Sequence, residues 1–193
     1  MSVQEPPSPD GGLIAEATRI DLAVYGAVAD TTTPRLDLLM RRLSNAADYS
    51  RLSILSATLL AALGGRRGRQ AAVWGLGSVA VTATVVNLIL KPVGRRERPD
   101  RSEHRVPTAR HVQMPASRSL PSGHTAAAVA FASGASRALP LAGLPLRVLA
   151  ALVGYSRVHT GAHYPGDVIA GAVVGGVLAD LTTSRLARKD PAM

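Results

Sequence analysis

Three short stretches of this chain combine residue types that could handle a phosphate. Lys91 is followed, after six residues, by Arg98-Pro99; Pro121-Ser122-Gly123-His124 comes next; Ser156-Arg157 is followed, after five residues, by His163 and, after three more, by Asp167. Lys91, Arg98 and Arg157 are fixed cations. Ser122 offers a hydroxyl, and Ser122 to His124 opens an apolar run, where the free amides and dipole of a helix start, including the amide of Gly123, favour an anion. Together these groups form a cradle for a tetrahedral oxyanion. A nucleophilic imidazole needs one nitrogen free and the other held by an acceptor that sets the tautomer. Asp167 lies four residues after His163, one turn along a helix that starts near Pro165, and this spacing allows that hydrogen bond. His124 is then left for acid–base work on a leaving oxygen.

Each of these residues also has an ordinary use. An Arg near a span end snorkels to headgroups, a Ser caps a helix, and a loop His is solvated. The joint pattern, and no single residue, argues for a site. His104, His111 and His159, with Arg95, Arg96, Arg101, Arg105 and Arg110, are left to the ordinary reading.

The elements that must position these groups follow from the apolar runs. Ala71 to Leu90 is 20 residues without a charge, enough at 1.5 Å per residue to cross a hydrocarbon core of about 30 Å. Leu52 to Gly65 forms a preceding span, extended by Asn45 to Arg51, and Arg66, Arg67 and Arg69 make a basic turn between the two. Lys91 to Leu120 has no apolar run and reads as an extramembrane loop. Gly123 to Ser136, Leu146 to Ser156 and Val168 to Ala179 supply three shorter spans. Gly171 and Gly175 form a GxxxG step, a close-packing device of membrane helices. In this topology the second span ends, the third begins, the fourth ends and the fifth begins on one face, so all three polar clusters converge.

The expected fold is therefore all-α: an integral membrane helical bundle of about five transmembrane helices with amphipathic N-terminal helices. Residues 1–12, with three Pro and no apolar run, read as a disordered tail. Residues 13–44 carry apolar residues at helical spacing interrupted by Glu16, Arg19 and Asp21, which suits helices lying in the membrane interface or packed on the outside of the bundle. Residues 45–184 form the catalytic membrane domain, and residues 185–193 a basic tail.

Composition agrees. The 193 residues are 47% hydrophobic but only 3% aromatic, with 18 Gly; small residues let helices approach closely in lipid, whereas a soluble core leans on large aromatics. The formal net charge of +9 suits an anionic partner. Nucleic acid is disfavoured by the absence of a recognised binding motif or a stacking platform. With no Cys, thiolate chemistry and disulfides are excluded.

The three motifs, in this order, resemble the signatures of the type 2 phosphatidic acid phosphatase family: Lys-x6-Arg-Pro, Pro-Ser-Gly-His and Ser-Arg-x5-His-x3-Asp. Every signature residue is present between Lys91 and Asp167, and the helical organisation carries the resemblance to about Leu181. It implies that Lys91, Arg98 and Arg157 bind phosphate oxygens, aided by Ser122 and the Gly123 amide. It also implies that His163 attacks phosphorus while held by Asp167, that His124 protonates the leaving group, and that water then cleaves a phosphohistidine. The expected substrate is a lipid phosphate in the phosphatidate, phosphatidylglycerol phosphate or polyprenyl phosphate class, and no cofactor is expected. No metal is expected either, because the clustered carboxylates of a magnesium or two-metal site are missing.

Two alternatives come from other classes. Vanadium haloperoxidases share the signatures but are soluble, and a lipid-binding or transport protein on the same fold would be expected to break a signature. The family also implies a cell-membrane location with the site on the extracytoplasmic face, although the site face is at least as rich in Lys and Arg as the opposite one, against the positive-inside tendency. The oligomeric state is open.

Overall fold

In the computed structural model, residues 9–189 are described; they form helices joined by turns, with no strand among them. Two N-terminal helices, α1 (Pro9–Ala29) and α2 (Pro34–Ala46), precede α3 (Arg51–Leu63) and α4 (Gly65–Val85). Helix α4 runs on through a π-helical turn (Val86–Leu90) into a last turn, α5 (Lys91–Val93). After the long polar loop come α6 (Gly123–Ala138), α7 (Gly143–His159) and α8 (Pro165–Lys189).

The bundle is α3, α4, α6, α7 and α8, with α6 at its centre, packed on α3, α4, α7 and α8. Gly171 and Gly175 explain how closely α8 lies on α6. A Cβ on Gly175 would sit 2.2 Å from the Ala126 carbonyl oxygen, and one on Gly171 would sit 2.5 Å from that of Ser122. The GxxxG step thus places the start of α6, with Ser122 to His124, directly against the first turns of α8, which carry Asp167.

Among the described residues, three stretches are long and apolar enough to cross a membrane: Gly65–Val93, Pro140–His159 and Pro165–Arg188. Helices α3 and α6 are shorter, roughly 20 and 24 Å at 1.5 Å per residue; they complete the five-helix bundle without meeting that length. On α8 the exposed residues Ile169, Val173, Val177 and Leu181 recur every four positions, an apolar stripe facing outward. Its opposite side buries glycine against backbone. Such an inside-out helix suits lipid contact, because in water the apolar stripe would face the core.

The N-terminal segment departs from the expected boundaries. Residues 9–12, expected in the tail, are helical, and the rest of the expected tail, residues 1–8, lies outside the described residues. At the other end α8 continues to Lys189, so the basic tail from Arg185 is helical that far. Helices α1 and α2 pack on the site-facing end of the bundle and bury Asp21, Tyr25, Asp37, Met40 and Ser44. Ile20, Val24, Leu38 and Leu39 stay exposed on the other side.

Candidate active site

The end of α4, the loop over 94–122, the start of α6, the end of α7 and the α7–α8 turn meet at one end of the bundle. Lys91 follows the π-helical turn, a local widening frequent at functional sites. The α7–α8 turn needs a positive φ at Gly161 (+67°), which folds the backbone so that the amides of Ala162 and His163 both reach the Arg157 carbonyl. Arg157 and His163 are brought together in this way.

His163 is 1% exposed and lies between two partners. Its Nε2 is 3.1 Å from Arg98 Nη1, and its Nδ1 is 3.5 Å from Asp167 Oδ2 and 3.3 Å from Ser119 Oγ. A guanidinium can only donate, so Nε2 accepts and the ring proton sits on Nδ1, facing Asp167. Ser119 donates to the same Asp167 oxygen, and the backbone amide of Tyr164 donates to it at 2.9 Å. Burial pushes the His163 imidazole down from 6.5 to about 4; the Asp167 hydrogen bond works against this, and Arg98 and Arg157 reinforce it. The ring is therefore neutral at physiological pH, with its Nε2 lone pair turned to the cations.

Those cations are held in place. Arg98 donates through Nε to the Ser117 carbonyl (2.8 Å) and through Nη1 to the Ala162 carbonyl (2.9 Å). Lys91 Nζ donates to Ser117 Oγ at 3.1 Å. Arg157 is 1% exposed and donates from Nη1 to Ser44 of α2. Its Nε and Nη2 are buried without a hydrogen-bond partner among the described residues. A buried unsatisfied charged donor costs free energy, and an oxyanion would supply the missing acceptors.

His124 stands at the first turn of α6, with Nε2 2.8 Å from Asp48 Oδ1. It lines a cavity of about 170 Å³ with Lys91, Gly123, Asn87, Tyr49 and the apolar side chains of Ala83, Val86 and Ala127. A Cβ on Gly123 would lie 3.5 Å from Lys91 Nζ, so the amine packs directly against the start of α6. Ser122 departs from the expectation of a hydroxyl turned to phosphate. It is fully buried, its Oγ lies 3.0 Å from Thr125 Oγ1, and its amide donates to the Asp167 carbonyl at 2.9 Å.

Several residues assigned to solvent or headgroups are not there. Arg96 stacks 4.3 Å over the Tyr164 ring and bridges Asp167 Oδ1 (3.1 Å) to Asp21 of α1. Asp21 also accepts from the Gly166 amide at 2.6 Å. Arg110 is fully buried, its Nε 2.8 Å from Asp37 Oδ1, which also takes a 2.8 Å contact from His159 Nε2. Arg101 is half-buried and donates to the Val112 carbonyl at 2.9 Å. His104 packs edge-on to Tyr25, and His111 Nε2 lies 3.0 Å from the Val106 carbonyl. Arg95 and Arg105 are exposed, as expected.

Sequence reasoning missed Ser117, Ser119, Ser44, Asp48 and Asp21. None lies in a signature, and each reaches the site only through the tertiary fold. Among the described residues, no three His, Cys, Asp or Glu side chains gather as a metal site would require.

An all-helical membrane bundle that closes a buried imidazole–carboxylate pair over three fixed cations defines a membrane phosphatase. Residues 72–190 match the PAP2 superfamily, and the chain belongs to it. It is 33% identical over 171 residues to the decaprenylphosphoryl-5-phosphoribose phosphatase of Mycobacterium tuberculosis, covering 87% of this chain and 92% of that one. The fold is similar to that of LpxE from Aquifex aeolicus (TM-score 0.70, 23% identity, 86% of this chain and 95% of that one). It is also similar to the transmembrane PAP2 type phosphatidylglycerolphosphate phosphatase of Bacillus subtilis (TM-score 0.69, 25% identity, 90% and 87%).

Proposed function

We propose that the protein hydrolyses the terminal phosphate of a polyprenyl-type lipid, on the extracytoplasmic face of the cell membrane, through a phosphohistidine on His163. The carrying observation is the pairing of a neutral, buried His163, its Nε2 lone pair against Arg98, with two nitrogens of Arg157 that have no partner among the described residues.

The phosphate is held by Lys91, Arg98 and Arg157 with the amides at the start of α6, including that of Gly123. Its charge takes over the Arg98 nitrogen that lies on His163, freeing Nε2 to attack phosphorus. Asp167 and Ser119 hold the Nδ1 proton and stabilise the positive ring that forms. As the P–O bond to the lipid breaks, the leaving oxygen takes a proton from His124, which the Asp48 carboxylate on its Nε2 and the charge of the bound phosphate keep protonated against burial. Water then attacks phosphorus, His124 takes back a proton, the N–P bond breaks and inorganic phosphate leaves with His163 restored. The protein's contribution is positioning and charge stabilisation, which fixed Arg and Lys side chains supply. Ser122 supports α6 against Asp167 through its amide.

The cavity beside His124 receives the leaving group. Its mixed lining, with Lys91, Asn87 and Tyr49 among small apolar side chains, suits a polar connector between phosphate and tail. The mycobacterial relative's name, a phosphoribose on a decaprenyl phosphate, supports the same choice. The test is phosphate release by the purified protein from polyprenyl phosphoribose phosphate, polyprenyl diphosphate, phosphatidylglycerol phosphate and phosphatidate. The polyprenyl substrates are expected to turn over fastest; a clear preference for phosphatidate would overturn the substrate assignment.

A further inference from the structure

Outside the reacting position, residues 97–114 of the long loop line a second, wide-open concavity of about 790 Å³. Arg98 forms part of its wall, so it adjoins the phosphate cradle. Arg101 and Arg105 line it as well, together with Ser102, Thr108 and His111.

Arg101 is the unusual member. Its Nη1 is pinned on the Val112 carbonyl at 2.9 Å, while its Nε and Nη2 are buried and lack a hydrogen-bond partner among the described residues. The two acids in the same wall do not answer this charge. Asp100 is turned back on its own loop, accepting from the Ser102 amide and hydroxyl and the Glu103 amide, and Glu97 reaches Arg118 at 3.4 Å. Arg101 also lies close enough to Arg98 to lower that guanidinium's proton affinity, after burial and against the pull of Asp167. Two arginines thus line one open cavity, and the guanidinium of one of them carries two buried, unanswered donors among the described residues. A forked donor of this kind fits two oxygens of a phosphate group.

We propose that Arg101, with Arg98 at its side, holds a second oxyanion in this vestibule, outside the phosphate under attack. The oxyanion is either the inorganic phosphate leaving the site or a second phosphate on the substrate. This rests on the phosphatase reading above, because the cradle defines which phosphate is the reacting one.

The experiment compares Arg101→Gln with the unsubstituted protein in detergent, with thermal unfolding as the check on folding. Orthovanadate reports on the reacting position, and inorganic phosphate reports on both. If leaving phosphate is the ligand, R101Q raises the inhibition constant for phosphate by about tenfold, the loss of one charge-assisted contact, and leaves that for orthovanadate nearly unmoved. If a substrate phosphate is the ligand, R101Q raises KM for a lipid bearing two phosphates and not for one bearing a single phosphate. A parallel loss for orthovanadate and phosphate would place Arg101 in the cradle and overturn the second site, as would no change in any of these constants. Where R101Q does not fold, Arg101→Lys is read in the same assays, with a smaller shift in the same direction expected because the charge stays and the fork is lost. Broadening of the inorganic phosphate ³¹P resonance, reduced in the variant, reads the vestibule without turnover. Failure of the proposed activity and failure of this inference are therefore distinguishable.

Discussion

Arg96 ties the N-terminal helix to the Asp167 carboxylate: one guanidinium nitrogen lies 3.1 Å from Asp167 Oδ1, and the other is paired with Asp21 of α1. Asp167 thus receives Ser119 and the Tyr164 amide on one oxygen and Arg96 on the other. Loss of Arg96 frees one side of the carboxylate that orients His163. Arg96→Ala is expected to lower kcat by about tenfold or more with a smaller effect on KM, since misplacing a positioned group acts on the reacting geometry. Asp21→Asn should show the same split to a lesser degree. Steady-state kinetics beside Arg95→Ala checks this: Arg95 is exposed, and equal behaviour of the two alanine variants would remove Arg96 from the positioning chain.

Asp37, Arg110 and His159 form a buried cluster that docks α2 and the α1–α2 turn on the loop and on α7. Arg110 also donates to the Val28 carbonyl at 2.8 Å and to that of Thr31. Removing one partner of a buried pair costs about 3–5 kcal/mol, because the other charge stays buried. Asp37→Ala is therefore expected to lower the midpoint of thermal unfolding in detergent markedly, and the exposed Arg105→Ala only slightly. Similar midpoints would show that the cluster carries no stability.

What could be read from the sequence, and what could not, divides along chain distance. The signature residues were legible because each motif places its chemistry within a few positions, and helix starts and ends bring the motifs to one face. The supporting acids were not. Asp21 meets Arg96 across 75 positions, Asp37 meets Arg110 across 73 and Asp48 meets His124 across 76. Asp21 and Asp37 sit in amphipathic stretches where a carboxylate reads as a solvated face, and Asp48 lies in the polar extension of the first span. Arg95, Arg96 and Arg101 look alike in one basic run, and only the fold separates the exposed Arg95 from the buried contacts of the other two. Ser122 shows the converse: the motif marks it for phosphate, while its hydroxyl lies on Thr125.

The pH response follows from the burial of His163. Its imidazole is lowered from 6.5 to about 4. Between these values the folded protein keeps it neutral while an unfolded chain binds the proton. Stability contributed by this residue is therefore complete above about pH 6.5 and is lost as pH falls toward 4. Imidazole ¹⁵N shifts of the substrate-free protein are expected to place the His163 titration near pH 4, with Nδ1 carrying the proton above it. A midpoint near 6.5 would contradict the buried, neutral nucleophile.

Orientation can be read with single cysteines, since the chain has none. Ala109 is exposed on the site face. On the opposite face Gly68 is unsuitable, because a Cβ there would meet the Leu60 carbonyl oxygen at 2.0 Å; the exposed Arg67 serves instead. In intact cells an impermeant thiol reagent is expected to label Ala109→Cys and not Arg67→Cys. The reverse pattern would place the site in the cytoplasm.

The central claim is that Nε2 of His163 takes the phosphoryl group. The most direct measurement is rapid denaturation of the turning-over enzyme at alkaline pH, where phosphohistidine survives, followed by mass spectrometry of its peptides. The account predicts phosphate on His163, absent in His163→Ala and accumulated in His124→Ala supplied with an activated aryl phosphate, whose leaving group needs no proton. Phosphate on His124 or on any residue other than His163, or unimpaired turnover by His163→Ala, would contradict it.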